Sequence, residues 1–130
     1  MKFEHAAFQV ADPPAMARWY AEHLGAKILR RQDKSPFAHF LGDSDGRVYL
    51  EIYRNEAFDV PDYAAIPPAH IHMAFEVGDV PAEHARLLAA GAAADGEMET
   101  TPSGDMVTML RDPWGFTLQL VCRAKPMTNA

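Results

Sequence analysis

His70–Val77, HIHMAFEV, restates Glu4–Val10, EHAAFQV, and the match extends into the residues that follow each stretch. Sliding one copy over the other by a constant offset pairs His5 with His72, Ala7 with Ala74, Phe8 with Phe75, Val10 with Val77, Asp12 with Asp79, Pro14 with Pro81 and Ala15 with Ala82. Seven identities in eleven positions indicate an internal duplication. Both copies alternate as strands do, with side chains projecting to opposite faces. Ala6, Phe8 and Val10 share one face and His5, Ala7 and Gln9 the other; Met73, Phe75 and Val77 oppose His72, Ala74 and Glu76. One face is large and apolar, while the other is small and carries a histidine.

Working outward, each repeat continues into a helix. Asp12-Pro13-Pro14 supplies an N-cap carboxylate and then proline in the first turn, where a missing N–H costs nothing. The spacing of Met16, Trp19, Tyr20 and Leu24 predicts a helix over Pro13–His23, ended by Gly25. In the second repeat Asp79 caps a helix over Val80–Ala90, with Leu87 and Leu88 as its apolar side and Gly91 at its end. The first repeat then offers strands at Lys27–Arg31, Phe37–Leu41 and Val48–Tyr53, after a first strand over Phe3–Val10. The second closes with Met106–Leu110 and Phe116–Val121, joined by Asp112-Pro113-Trp114-Gly115. Gly42-Asp43-Ser44-Asp45-Gly46 begins like a calcium loop but lacks the downstream glutamate, so it reads as a turn.

These elements define an α+β chain of two βαβββ modules, residues 1–53 and 70–124, within one domain spanning residues 1–130. Residues 54–69 carry three prolines and no clean period, as expected of a linker. Two units of about 60 residues are marginal alone, so they are expected to share a core or exchange partners between chains. A helix covers one side of each sheet and a polar, histidine-bearing row lies on the other; the spacing does not fix how the two sheets meet, and lining a common concavity is the arrangement that would give that row a reason to exist.

Composition narrows the function. The 130 residues are 48% hydrophobic and 23% charged, with a formal charge of -6 that repels a phosphate backbone, so no nucleic-acid partner is expected. No apolar run spans a bilayer, and the first strand begins too early for a signal peptide. Cys122 is the only cysteine, and its parity with Phe116, Leu118 and Leu120 places it on the core face. A reducing, cytoplasmic location follows as an expectation.

Four polar residues emerge from repeat and parity together. In Val48–Tyr53 the core side is Val48, Leu50 and Ile52, leaving Glu51 between Tyr49 and Tyr53 on the opposite face. In Phe116–Val121 the core side is Phe116, Leu118 and Leu120, leaving Thr117, Gln119 and Val121 outward, so Gln119 takes the place of Glu51. His5, Glu51, His72 and Gln119 thus form two equivalent pairs, and two imidazoles, a carboxylate and an amide oxygen suit a divalent first-row metal. His39, Tyr49 and Tyr53 are candidate substrate contacts; Arg30, Arg31 and Arg111 are weaker candidates for a substrate carboxylate.

His5 in EHAAFQVADP, Glu51 in VYLEIY, His72 in HMAFEVGDVP and the closing DPWGFTLQLV resemble the vicinal-oxygen-chelate superfamily. That superfamily includes glyoxalase I, methylmalonyl-CoA epimerase, extradiol dioxygenases, and fosfomycin- and bleomycin-resistance proteins. The resemblance covers nearly the whole chain and implies paired βαβββ modules with curved mixed sheets, a homodimer, and sites shared between chains. The layout is most similar to bacterial glyoxalase I, which implies His5, Glu51, His72 and Gln119 as ligands of a divalent metal: Zn, Ni, Mn, Co or Fe.

Glyoxalase I normally has a glutamate base where this chain has Gln119, and glutamine can ligate through its oxygen but cannot accept a proton. Glu51, its repeat mate, is then the candidate base for a lyase- or isomerase-type proton transfer on a small molecule with neighbouring oxygens. Two alternatives use the same groove. His5, His72 and Glu51 alone make a two-histidine, one-carboxylate set for ferrous extradiol-type chemistry. A metal-free binder of the bleomycin-resistance type would instead use the acidic charge and Phe37, Tyr49, Tyr53, Tyr63 and Trp114 to hold a cationic planar compound.

Overall fold

Asp12 and Asp79 fix where the two helices begin. In the computed structural model, which describes residues 1–128, the Asp12 carboxylate accepts from Ala15 N at 3.1 Å and the Asp79 carboxylate from Ala82 N at 3.0 Å. The chain divides into two compact units, Met1–Pro61 and Asp62 onward.

In the first unit, β1 (Ala6–Gln9) leads into α1 (Pro13–His23), followed by β2 (Lys27–Arg31), β3 (His39–Gly42) and β4 (Val48–Tyr53). The sheet order is β1-β4-β3-β2; β1 pairs parallel to β4 and the other pairs are antiparallel. One helix before a returning strand is what a parallel β1–β4 pair requires, since a short turn cannot make that connection. Met16, Ala17 and Tyr20 of α1 are buried together with Leu41, Leu50 and Ile52 of the sheet. Gly25 leaves the helix at φ +68°, the left-handed conformation glycine permits.

The second unit repeats this plan: β5 (Met73–Glu76), α2 (Val80–Ala89), β6 (Ala93–Ala94), β7 (Glu99–Thr100), β8 (Met106–Arg111) and β9 (Thr117–Cys122). Its sheet runs β5-β9-β8-β6, with β7 also on β8 and β5 parallel to β9. Val80 and Leu87 of α2 are buried, as are Leu110, Phe116, Leu118 and Leu120 of the sheet.

Several local expectations need correction. The first strand starts at Ala6 rather than Phe3, because the ladder with β4 begins at Ala6; Phe3 is 81% exposed. β3 starts at His39 rather than Phe37, whose φ of +55° is left-handed and cannot continue a strand. The strand sought over His70–Val77 is shortened to Met73–Glu76, following a turn in which His70 N donates to Pro67 O. Leu88 is exposed, since Val80 and Leu87, seven residues apart, already define the buried stripe of α2. Cys122, at the end of β9, is half-buried rather than in the core. Thr117 and Val121, expected to face away from the core, are both buried.

The segment 54–69 is bound at both ends rather than free. Gln9 donates to Asn55 O at 2.7 Å and Phe58 O at 2.8 Å, and accepts from Asn55 N, tying the first part to unit one. Arg111 donates to Tyr63 O, Gly115 O and Ile66 O and pairs with Asp95 at 2.7 Å, tying the second part to unit two. Arg111 is therefore a structural staple. The Asp-Pro-Trp-Gly turn is built around Asp112, whose Oδ1 accepts from Trp114 N and Phe116 N at 2.9 Å. Gly115 follows at φ +84°.

Candidate functional site

Cross-strand register tests the equivalence of Glu51 and Gln119 independently of sequence similarity. In the first unit Glu51 stands opposite Ala7 on β1 and Phe40 on β3. In the second, Gln119 stands opposite Ala74 on β5 and Met109 on β8. Ala7 and Ala74 are themselves repeat partners, so each sheet places one polar side chain on β4 or β9 between a small neighbour and a large apolar one. Their backbone neighbours Leu50 and Ile52, or Leu118 and Leu120, are buried on the opposite, helix-covered face.

His5 and His72 each precede their strand by one residue. His5 Nε2 lies 3.7 Å from Glu51 Oε1, with the side chains 29% and 21% exposed. The His5 ring meets Phe40 edge-on, centroids 5.2 Å apart at 86°, and its Nδ1 donates to Glu4 Oε1 at 2.9 Å. His72 is exposed, and its Nδ1 donates to Pro68 O at 2.9 Å. Gln119 is half-buried.

The pair in the first unit can be tested for fit to a cation. With Nδ1 protonated, a neutral His5 presents a lone pair at Nε2, and the Glu51 carboxylate only accepts. Two acceptors facing each other are favourable only with positive charge or a proton donor between them. Donors that each lie about 2.1 Å from one ion stand at most about 4.2 Å apart, which accommodates the observed separation. His5 and Glu51 therefore fit two ligands of one divalent ion. Among the described residues, no group of three or more His, Cys, Asp or Glu side chains is gathered as a complete metal set.

The candidate substrate contacts divide. Tyr49 and Tyr53 are half-buried and share strand parity with Glu51. Burial pushes the Tyr49 phenol above its ordinary range, and the negative charge of Asp43 adds to the shift, so Tyr49 is a neutral hydrogen-bonding group at physiological pH. His39 does not join them. It pairs with Ile52 across β3–β4, so it lies on the helix-covered face, 5% exposed, with Nδ1 donating to Phe37 O at 2.7 Å. Its parity with buried Leu41 is the sequence signal for that placement. Arg30 and Arg31 are exposed on the edge strand β2.

The residues missed in sequence were Glu4 and Pro68, the acceptors for the two histidines. A backbone carbonyl has no side-chain signature, and Glu4 has no counterpart in the second repeat, where Ile71 takes its place.

Comparison with known proteins agrees with the duplicated plan. Over 125 residues, the chain is 25% identical to a lactoylglutathione lyase of Haemophilus influenzae, covering 93% of this chain and 92% of the relative. A glyoxalase-related enzyme from Fulvimarina pelagi superposes with a TM-score of 0.72 at 20% identity, covering 98% of this chain and 93% of that one. TnmS3, an antibiotic-binding protein from Streptomyces sp. CB03234, gives a TM-score of 0.65 at 21% identity over 95% of this chain and 97% of its own. These two structures share the fold. With its profile matched over residues 2–120, the chain belongs to the Glyoxalase/Bleomycin resistance protein/Dioxygenase superfamily.

Proposed function

We propose that this protein is a metal-dependent enzyme that moves a proton within a small molecule bearing neighbouring oxygens, in the manner of a lyase or isomerase. His5 and Glu51 of one unit and His72 and Gln119 of the other would hold one divalent ion, Zn, Ni, Mn, Co or Fe, in a homodimer. The observation that carries this reading is the 3.7 Å approach of His5 Nε2 to Glu51 Oε1, two acceptor atoms facing each other at a position whose repeat mate is polar as well.

When bound, the cation would polarise the adjacent oxygens of the substrate and acidify the intervening C–H. Glu51, the one carboxylate of the four, takes that proton and returns it to the neighbouring carbon. Gln119 has no basic atom and contributes its amide oxygen as a ligand or hydrogen-bond acceptor. Tyr49 and Tyr53, flanking Glu51 on its strand, bound the space beside it and exclude water. Metal titration of the purified protein, followed by turnover of thiohemiacetal and α-hydroxycarbonyl substrates, tests the reading. Metal uptake with chelator-sensitive turnover supports it, and a protein that takes up no ion contradicts it.

A second reading rests on the same strand. Tyr49 and Tyr53 on either side of an anionic Glu51 would suit a planar cationic compound held without metal. Chelator-insensitive binding of such a compound, abolished by Glu51→Gln, would favour this reading over the enzyme.

A further inference from the structure

His5 and His72 share a feature that the repeat does not supply. Each ring donates from Nδ1, His5 to the Glu4 carboxylate and His72 to the Pro68 carbonyl, both at 2.9 Å. Carboxylate and carbonyl oxygens only accept, so each Nδ1 bears the proton and each neutral ring keeps its lone pair on Nε2. The two acceptors are unrelated. Glu4 is the preceding residue, and its repeat mate, Ile71, cannot accept a hydrogen bond through its side chain. The second unit obtains the same result from a carbonyl four residues back, in a turn closed by His70 N donating to Pro67 O at 2.9 Å. Different local chemistry reaches one tautomer, so the shared property is the bare Nε2 rather than an inherited contact.

For His5 the outcome is directional as well. Nε2 is the nitrogen that approaches Glu51, and Phe40 stands edge-on to the ring, 5.2 Å away. A ring flipped about its axis would put Cε1 where Nε2 stands and remove the ligating atom, and a proton moved to Nε2 would present Glu51 with a donor and occupy the atom that a cation needs. Hydrogen-bonded carboxylates and carbonyls behind ligating imidazoles fix the tautomer and raise ligand basicity.

We infer that Glu4 is a positioning residue, with the Pro68 carbonyl as its counterpart, and that the two hold His5 and His72 as Nδ1–H tautomers with Nε2 free to ligate. The purpose of this arrangement rests on the proposed metal site, but the tautomers themselves belong to the metal-free protein and can be read there. The Glu4 side chain is 72% exposed, so its replacement does not disturb the core.

The experiment is long-range proton–nitrogen correlation NMR of the imidazoles in metal-free protein at alkaline pH. Wild type, Glu4→Gln and Glu4→Ala are compared, and each is then titrated with zinc. Wild type should show Nδ1–H at both rings. Glu4→Ala should move His5 toward Nε2–H, leave His72 unchanged and weaken zinc binding about 10- to 100-fold. Glu4→Gln, whose amide oxygen still accepts, should retain the wild-type tautomer and most of the affinity. An Nε2–H tautomer at His5 in wild type, or an unchanged His5 in Glu4→Ala, would overturn the inference. Nδ1–H at both rings with no zinc uptake in wild type would support the positioning and contradict the metal site.

Discussion

Ala7 stands opposite Glu51 across β1–β4 just as Ala74 stands opposite Gln119 across β5–β9. The two units thus hold a carboxylate and its neutral isostere in matching positions, and in the proposed reaction only the Glu51 side has a carboxylate to take the proton. Glu51→Gln makes the pair symmetric and removes the only carboxylate among the four candidates. Turnover should fall by about 10²-fold or more, and metal content should fall with it because an amide is a weaker ligand. Undiminished turnover would remove Glu51 as the base.

The reciprocal change, Gln119→Glu, places a second carboxylate at the equivalent site. Metal affinity should rise, and proton transfer should become possible from both sides of a bound substrate. The measurement is zinc affinity beside the stereochemistry of proton delivery. A drop in affinity would show that Gln119 does not face the ion.

Gly115 illustrates why the turn before the last strand tolerates one residue. A Cβ added there would lie 2.8 Å from the Ala64 Cβ and 3.0 Å from the Ala64 nitrogen, and the φ of +84° adds strain of its own. Gly115→Ala should therefore cost about 1–3 kcal/mol, read as a lowered midpoint in thermal or urea unfolding. An unchanged midpoint would mean that the Tyr63–Ile66 segment is not held against the turn.

Asp105 gives a pH-dependent prediction. Ala124 N donates to it at 2.8 Å and Arg123 pairs with it at 3.0 Å, holding its carboxyl below the usual value of 3.8 despite a small opposing effect of burial. A carboxyl depressed on folding stabilises the fold above its unfolded value, and this contribution is lost as pH falls through the lower folded value. The stability difference between wild type and Asp105→Asn should thus be constant near neutral pH and shrink in acid. A difference that grows on acidification would reverse the assignment.

The repeat, both helix caps and the bounds of α1, β2 and β4 were legible because Asp-Pro signals, apolar spacing and alternation are local. The matching places of Glu51 and Gln119 were legible because strand parity carries over from one unit to the other. β6 and β7 were not: their two-residue pieces, within Ala93–Thr100, contain few branched side chains and are interrupted by Gly96 at φ +87°. The role of Arg111 was also hidden, since three of its partners are carbonyl oxygens. The bounds of β3 were misread because the left-handed backbone of Phe37 has no composition signal.

The most direct test of a metal centre is elemental analysis of protein purified without added metal, wild type beside His72→Ala. Near-stoichiometric divalent first-row metal in wild type, depleted in His72→Ala, is the expected result. A wild-type protein free of such metal that also fails to take it up on titration, or a His72→Ala variant that retains the full complement, would contradict it.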